Sequence, residues 1–217
     1  MSTEPSTESA STLEQGDEGG IPQGAEQLDP IEFFKAWFDA AEDSGIVMPE
    51  SVALATATSE GAPSVRMVLL KAVNEKGFVF FTNYGSRKAN EIEANRRAAL
   101  CFHWASLERQ VRITGSVERI TEAESYAYFS TRERGSRIGA WASKQSQPLL
   151  DRKELQRRVS ETTSSFADQD IPLPPFWGGY RIRPEVIEFW QGKADRLHDR
   201  LVFTRIGRDW STERLYP

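Results

Sequence analysis

Cysteine is nearly absent. Among 217 residues only Cys101 carries a thiol, which excludes an internal disulfide and suits a reducing compartment. Histidine is almost as scarce: His103 and His198 are the only imidazoles, and with one cysteine they make a poor zinc set. No apolar run approaches the length of a membrane span. The first residues lack the basic-then-apolar pattern of a secretory signal, so the expected location is the cytoplasm, with no membrane partner. No Gly-x-Gly-x-x-Gly or P-loop string occurs, which disfavours a doubly wound nucleotide fold. A Gly-x-Ser-x-Gly elbow is missing as well, and Cys101 has no basic neighbour, so nothing resembles a hydrolase.

Positive charge is missing from one end. Residues 1–32 hold eight acidic residues and no Lys or Arg. The net charge of −5 therefore hides a remainder with 24 acidic against 27 basic residues, a balance of +3. A mild excess of that kind suits a small anionic ligand better than a nucleic-acid backbone. Residues 1–28 are rich in Ser, Thr, Glu, Gly and Gln and cannot bury enough apolar surface to offset their ordering entropy. They are expected to form a disordered acidic tail ahead of a single domain over 29–217.

What is present is punctuated clearly. Asp29-Pro30-Ile31-Glu32 starts a helix, with a capping Asp, Pro at the first position and apolar residues at Ile31, Phe34, Trp37, Phe38 and Ala41. Strand-like stretches follow at 51–58, 64–72, 77–82, 98–104, 108–120, 177–182, 186–190, 201–205 and 210–215. Helices are expected at 86–95, from Thr121-Glu-Ala-Glu124 through Phe129, and from Asp151-Arg-Lys-Glu154 onward. Antiparallel strands at hairpin spacing, with helices inserted and no βαβ period, predict a mainly β, α+β fold: a closed or split barrel with peripheral helices.

One stretch carries cations at defined places. Arg66-Met-Val-Leu-Leu-Lys71 and Phe78-Val-Phe-Phe-Thr-Asn-Tyr-Gly-Ser-Arg-Lys88 read as two apolar, buried strands of a hairpin around Asn74-Glu-Lys-Gly77. Arg66 and Lys71 bracket the first strand, while Arg87 and Lys88 open a helix. Basic side chains at a helix N-terminus make a phosphate site. Three further clusters stand out: Glu108-Arg109-Gln110; Tyr128 to Ser146; and Glu188 to Arg200. They combine Arg and Lys with Ser, Gln, Tyr and Trp, an inventory for holding phosphates and rings. If the protein is an enzyme, a cofactor should carry the hard chemistry.

The strings Arg66-Met-Val-Leu-Leu-Lys71, Thr82-Asn-Tyr-Gly-Ser-Arg-Lys88, Leu107-Glu-Arg-Gln110, Ile138-Gly-Ala-Trp-Ala-Ser-Lys-Gln-Ser146, Pro174-Pro-Phe-Trp-Gly-Gly179, Glu188-Phe-Trp-Gln-Gly192 and Arg196-Leu-His-Asp-Arg200 resemble pyridoxamine 5′-phosphate oxidase. The resemblance spans roughly residues 50–217. It implies a homodimeric, antiparallel FMN-binding split barrel that oxidises pyridoxine or pyridoxamine 5′-phosphate to pyridoxal 5′-phosphate. Dioxygen is the implied electron acceptor, and the flavin is implied to lie between two subunits. By matching positions, Arg66, Met67, Val68, Leu69, Phe81, Thr82, Arg87, Lys88, Gln110, Gln145, Ser146, Trp190 and Arg200 would bind FMN. Lys71, Tyr128, Arg132 and Ser136 would meet the substrate phosphate, with Arg196 and His198 over the substrate ring as the catalytic pair. Family members often carry a basic, tyrosine-containing segment that closes over the substrate. Here Leu13 to Ile21 is acidic and lacks that Arg and Tyr, which predicts a weakened or absent lid. Beside the resemblance three alternatives stay open: a split-barrel flavoenzyme with another substrate, a carrier of flavin or pyridoxal phosphate that has lost oxidase activity and, more distantly, a nucleic-acid-binding barrel.

Overall fold

A computed structural model describes residues 19–167 and 169–217. Nine strands, β1 (Ser51–Ala57), β2 (Pro63–Leu69), β3 (Ala72–Asn74), β4 (Gly77–Asn83), β5 (Arg97–Trp104), β6 (Arg109–Arg119), β7 (Trp177–Gln191), β8 (Asp199–Ile206) and β9 (Asp209–Arg214), form one sheet. Its order is β2-β1-β5-β6-β7-β4-β3, with β8 on β7 and β9 on β8. Five α-helices occur among the described residues: α1 (Pro30–Asp43), α2 (Arg87–Asn95), α3 (Glu122–Thr131), α4 (Arg134–Ala142) and α5 (Arg152–Ser165). The mainly β, antiparallel class expected from the sequence is the one observed. The chain divides into two compact units; β5, β6 and β7 each run through both.

The first unit, described over 19–49, 101–113 and 186–217, is built on α1. Asp29 caps the helix as expected, its Oδ1 accepting from the Ile31 and Glu32 amides at 2.8 and 3.1 Å. Ile31, Phe33, Phe34, Trp37 and Ala41 are buried. Phe34 meets Phe102 at 5.1 Å, and Phe33 meets Phe189 at 4.4 Å between ring centroids. Burial of each such ring contributes about 1.5–3 kcal/mol. Residues 19–28 differ from the expected disordered tail. Ile21 is 4% exposed and Ala25 fully buried, and a short 3₁₀ turn covers Ala25–Gln27. The expectation failed because two small apolar anchors suffice once a surface exists to receive them. The rest of that expected tail, residues 1–18, and with it most of the segment compared with a lid, lies outside the described residues.

The second unit holds 50–100 and 114–185. Here the expected hairpin is corrected. β2 pairs with β1, Arg66 facing Leu54, whereas the Asn74–Gly77 turn joins β3 to β4. β2 is also not a buried strand: Val65, Met67 and Leu69 are 69%, 62% and 38% exposed. Apolar character alone could not tell an inner strand from an edge strand with one apolar face outward. Two stretches read as separate strands, 177–182 and 186–190, are one 15-residue strand, β7, that runs through Pro184. Gly115 explains how β6 lies so close to it, since any Cβ there would collide with the Arg183 carbonyl oxygen. Helix α4 was not foreseen, and α5 buries none of its residues.

Candidate functional site

The second unit contains a cavity of about 600 Å³, within the range of small-ligand sites. β2 supplies one wall, through Arg66, Met67, Val68 and Leu69, with Lys71 just beyond. β4 supplies Phe81 and Thr82, and α2 supplies Lys88. Helices α3 and α4, with their connection, supply Tyr128, Arg132 and Ser136; Gln145 follows them. Twelve residues predicted from the sequence are thus brought together. Arg87 and Ser146 are not among them and line a neighbouring cavity with Glu91 and Asn90.

Charge distinguishes this cavity. Its lining holds four cations, Arg66, Lys71, Lys88 and Arg132, and no carboxylate. Lys88 is 7% exposed, and its Nζ donates to Thr82 Oγ1 at 3.2 Å and Ser86 Oγ at 3.5 Å. It has no carboxylate partner among the described residues. Burial, with the Arg66 charge adding to it, pushes the Lys88 ammonium below its ordinary pKa of 10.5. Burial likewise lowers that of Arg132, whose Nη1 is buried without a hydrogen-bond partner among the described residues. Buried cations without counterions are costly, and a bound anion removes that cost.

Arg66 is held by a carboxylate from outside the lining. Its Nη1 donates to Thr56 Oγ1 at 2.5 Å and to the Leu54 carbonyl at 3.2 Å, and its Nη2 donates to Ser64 and to Glu91 Oε2 at 3.2 Å. Glu91, itself buried, also accepts from Thr56 and Ser64 at 2.5 Å each and from Arg87 Nε at 2.8 Å. Burial pushes its carboxyl up, but these hydrogen bonds outweigh burial and hold it at about 2, against an ordinary 4.5. A carboxylate whose pKa is lowered by folding stabilises the fold above its unfolded value and loses that contribution as pH falls. Glu91 is therefore expected to contribute about 3 kcal/mol above pH 4.5 and nearly nothing at pH 2. Thermal melts across that window check it: the Glu91→Gln protein should lose less stability on acidification than the parent.

Aromatic surface completes the cavity. Phe81 stacks on Tyr128 at 4.0 Å and on Trp177 at 5.3 Å. Arg132 lies 4.9 Å from the Trp177 ring centroid. Gln145 Oε1 accepts from Thr82 Oγ1 at 2.9 Å and from the Asn83 amide at 3.2 Å, fixing the chain after α4 to β4. Sequence reasoning missed Trp177, Asn83, Gly139, Ala140 and Ser143 in the lining, and Glu91 behind it. Trp177 lies within Pro174-Pro-Phe-Trp-Gly-Gly179, one of the strings that carry the resemblance, and that membership could have found it.

The remaining predicted residues, Gln110, Trp190, Arg196, His198 and Arg200, belong to the first unit. Gln110 is half-buried near the start of β6. Trp190 faces Arg200 across β7 and β8, and its ring lies 4.6 Å from that of His198. Arg200 is fixed by Glu188, with Nε and Nη2 at 2.9 and 2.8 Å from Oε1, and Arg112 reaches the other oxygen at 3.3 Å. Arg196 is exposed.

The cavity lining of the second unit fits FMN and a second phosphate ester. The lining offers cations for two anions, hydroxyl and amide groups for polar ring edges, and apolar surface from β2.

Known proteins point the same way. Residues 38–166 match the family model described as pyridoxamine 5′-phosphate oxidase, and 177–217 match that of the pyridoxine 5′-phosphate oxidase C-terminal dimerisation region. A pyridoxine/pyridoxamine 5′-phosphate oxidase of Psychromonas ingrahamii is 62% identical over 192 residues, 88% of each chain. Its counterpart in Rubrobacter xylanophilus is 54% identical over 198 residues, 91% of each. Among solved structures, PhzG from Burkholderia lata in complex with tetrahydrophenazine-1-carboxylic acid has a TM-score of 0.83 at 33% identity, covering 87% of this chain and 93% of its own. An FMN-binding protein of Nostoc punctiforme, at 18% identity and a TM-score of 0.71 over 88% of this chain and 99% of its own, shares the fold. That fold is the split barrel expected from the sequence. With a family model across most of the chain and relatives this similar, the chain belongs to the pyridoxine/pyridoxamine 5′-phosphate oxidase family.

Proposed function

We propose that this protein is an FMN-dependent oxidase converting pyridoxine or pyridoxamine 5′-phosphate to pyridoxal 5′-phosphate. Dioxygen accepts the electrons and leaves as hydrogen peroxide; the amine substrate also takes up water and releases ammonia. The observation that carries the reading is the cavity whose lining holds four cations and no acid, with Lys88 buried and Arg132 Nη1 unpartnered. Two phosphate esters account for two cationic sets, which a flavin reductase without a phosphorylated substrate does not need.

Arg66, Lys88 and the nearby Arg87 hold the FMN phosphate, while Lys71, Tyr128, Arg132 and Ser136 anchor that of the substrate. Bound FMN supplies a two-electron acceptor for the substrate C4′ carbon. The protein's own contribution is placement, which converts an encounter into a near-unimolecular reaction. Phe81, Tyr128 and Trp177 exclude water from one side. Gln110, Gln145, Ser146, Trp190 and Arg200 are assigned to the flavin, where donors and cations stabilise the charge that develops on reduction. Arg196 and His198 act on the substrate ring. A second copy of the chain is the natural cover for Val65, Met67 and Leu69, a solvent-facing apolar stripe of which Met67 and Leu69 also line the cavity. On this reading FMN lies at the interface of a homodimer, and the stripe shared between the cavity and the solvent-facing surface supports it.

The test is spectroscopic. Pyridoxine 5′-phosphate added without oxygen to the FMN-loaded protein should bleach the visible flavin band, and air should restore it. A flavin that stays oxidised would leave a carrier, or a flavoenzyme of different substrate.

A further inference from the structure

The segment Lys193–His198 carries a local strain that its own residues do not relieve. Asp195 and Arg196 both adopt left-handed backbone, with φ of 54° and 63°, the only two successive non-glycine residues to do so among the described residues. Such residues are strained and persist only where their surroundings over-determine them. Part of the constraint is internal. The Lys193 amide donates to His198 Nδ1 at 3.2 Å, so in the neutral ring the proton sits on Nε2.

The rest comes from the other end of the chain. Asp199 follows the loop and opens β8, facing Gln191 of β7. Its Oδ2 accepts the Ile21 amide at 3.0 Å and lies 3.5 Å from Lys193 Nζ. Gly20 allows this approach: any Cβ there would overlap Asp199 Oδ2 and come within 2.7 Å of Lys193 Cε and Nζ. Ile21 and Ala25, in the same segment, are buried. The far end is tied to β9, where Arg214 donates to Glu26 Oε1 at 2.6 Å and to the Pro22 carbonyl at 3.3 Å. A half-exposed Lys–Asp pair by itself contributes little. The backbone bond and the side-chain-free glycine make this contact a built one.

We propose that residues 19–26 form a strap holding the Lys193–His198 loop in its strained form, with Asp199 as the positioning residue for Arg196 and His198. The proposal rests on the reading that these two residues act on the substrate. Its test uses the full-length, FMN-loaded protein with Gly20→Val, Asp199→Ala, Asp199→Asn and Arg196→Ala. Steady-state turnover of pyridoxine 5′-phosphate, FMN affinity and melting temperature are measured for each.

Gly20→Val and Asp199→Ala should lower kcat/KM on the order of 10²-fold, the cost of misplacing reacting groups by about 1 Å. FMN affinity and melting temperature should stay near the parent's. Asp199→Asn keeps an acceptor for the Ile21 amide and should retain most activity. Parent-like kinetics in Gly20→Val and Asp199→Ala beside an impaired Arg196→Ala would overturn the strap. So would a parallel collapse of FMN binding and melting temperature, or an Asp199→Asn protein as poor as Asp199→Ala. An unimpaired Arg196→Ala would instead overturn the underlying assignment of the loop.

Discussion

Lys88→Ala is expected to weaken FMN binding about 10- to 100-fold while Arg132→Ala leaves it near the parent value and raises the KM for the phosphorylated substrate. A hydrogen bond to a charged group contributes about 1.5–3 kcal/mol, and each 1.4 kcal/mol is a factor of ten in affinity. Among the described residues Lys88 donates only to the Thr82 and Ser86 hydroxyls, and it sits beside Arg66, so its ammonium has most to gain from a phosphate. Arg132 is placed elsewhere in the same cavity, against Trp177 and near Tyr128. FMN fluorescence titration reads the first effect and steady-state kinetics the second. If Arg132→Ala released the flavin, or Lys88→Ala bound it normally, the division into two phosphate sites would be wrong. Because the Lys88 pKa lies below its ordinary 10.5, FMN affinity should also begin to fall at a lower alkaline pH than an unperturbed lysine would give.

Glu91→Ala should be the most damaging single change to the unliganded fold. Glu91 is 5% exposed and answers Arg66, Arg87, Thr56 and Ser64 at once. Removing one partner of a buried pair costs about 3–5 kcal/mol, since the other charge stays behind. In a chain of this length that lowers the melting temperature by on the order of 10 °C. FMN should restore more of it in Glu91→Ala than it adds to the parent, because a phosphate replaces the missing negative charge beside Arg66. Calorimetry with and without FMN measures both. A variant that melts like the parent would show that Arg66 needs no carboxylate to hold it.

Much of this site could be read before the fold was known, and the reasons are local. Arg66, Lys71 and Lys88 lie in strings whose order and spacing are distinctive, Tyr128, Arg132 and Ser136 were implied by matching positions of the resemblance, and all six line one cavity. Glu91 could not be found that way. Its partners Thr56, Ser64 and Arg66 lie 35, 27 and 25 residues away on β1 and β2. In sequence it is one more glutamate on a short helix. Asp199 could not be found that way either: its side chain accepts the Ile21 amide, 178 residues distant.

The caps at Asp29 and Thr121, the turn at Asn74–Gly77, the antiparallel strands and the cationic inventory were determined by the sequence alone. Each depends on residues within a few positions, where propensity and side-chain hydrogen bonding act directly. Tertiary structure decided that β2 joins β1 and leaves Val65, Met67 and Leu69 outward, that 177–191 is one strand, and that Gly20 makes room for Asp199. Those outcomes turn on which of several compatible apolar surfaces meet, and on close approaches between distant backbones. No local pattern encodes either, because the energy that selects them exists only after the chain has packed.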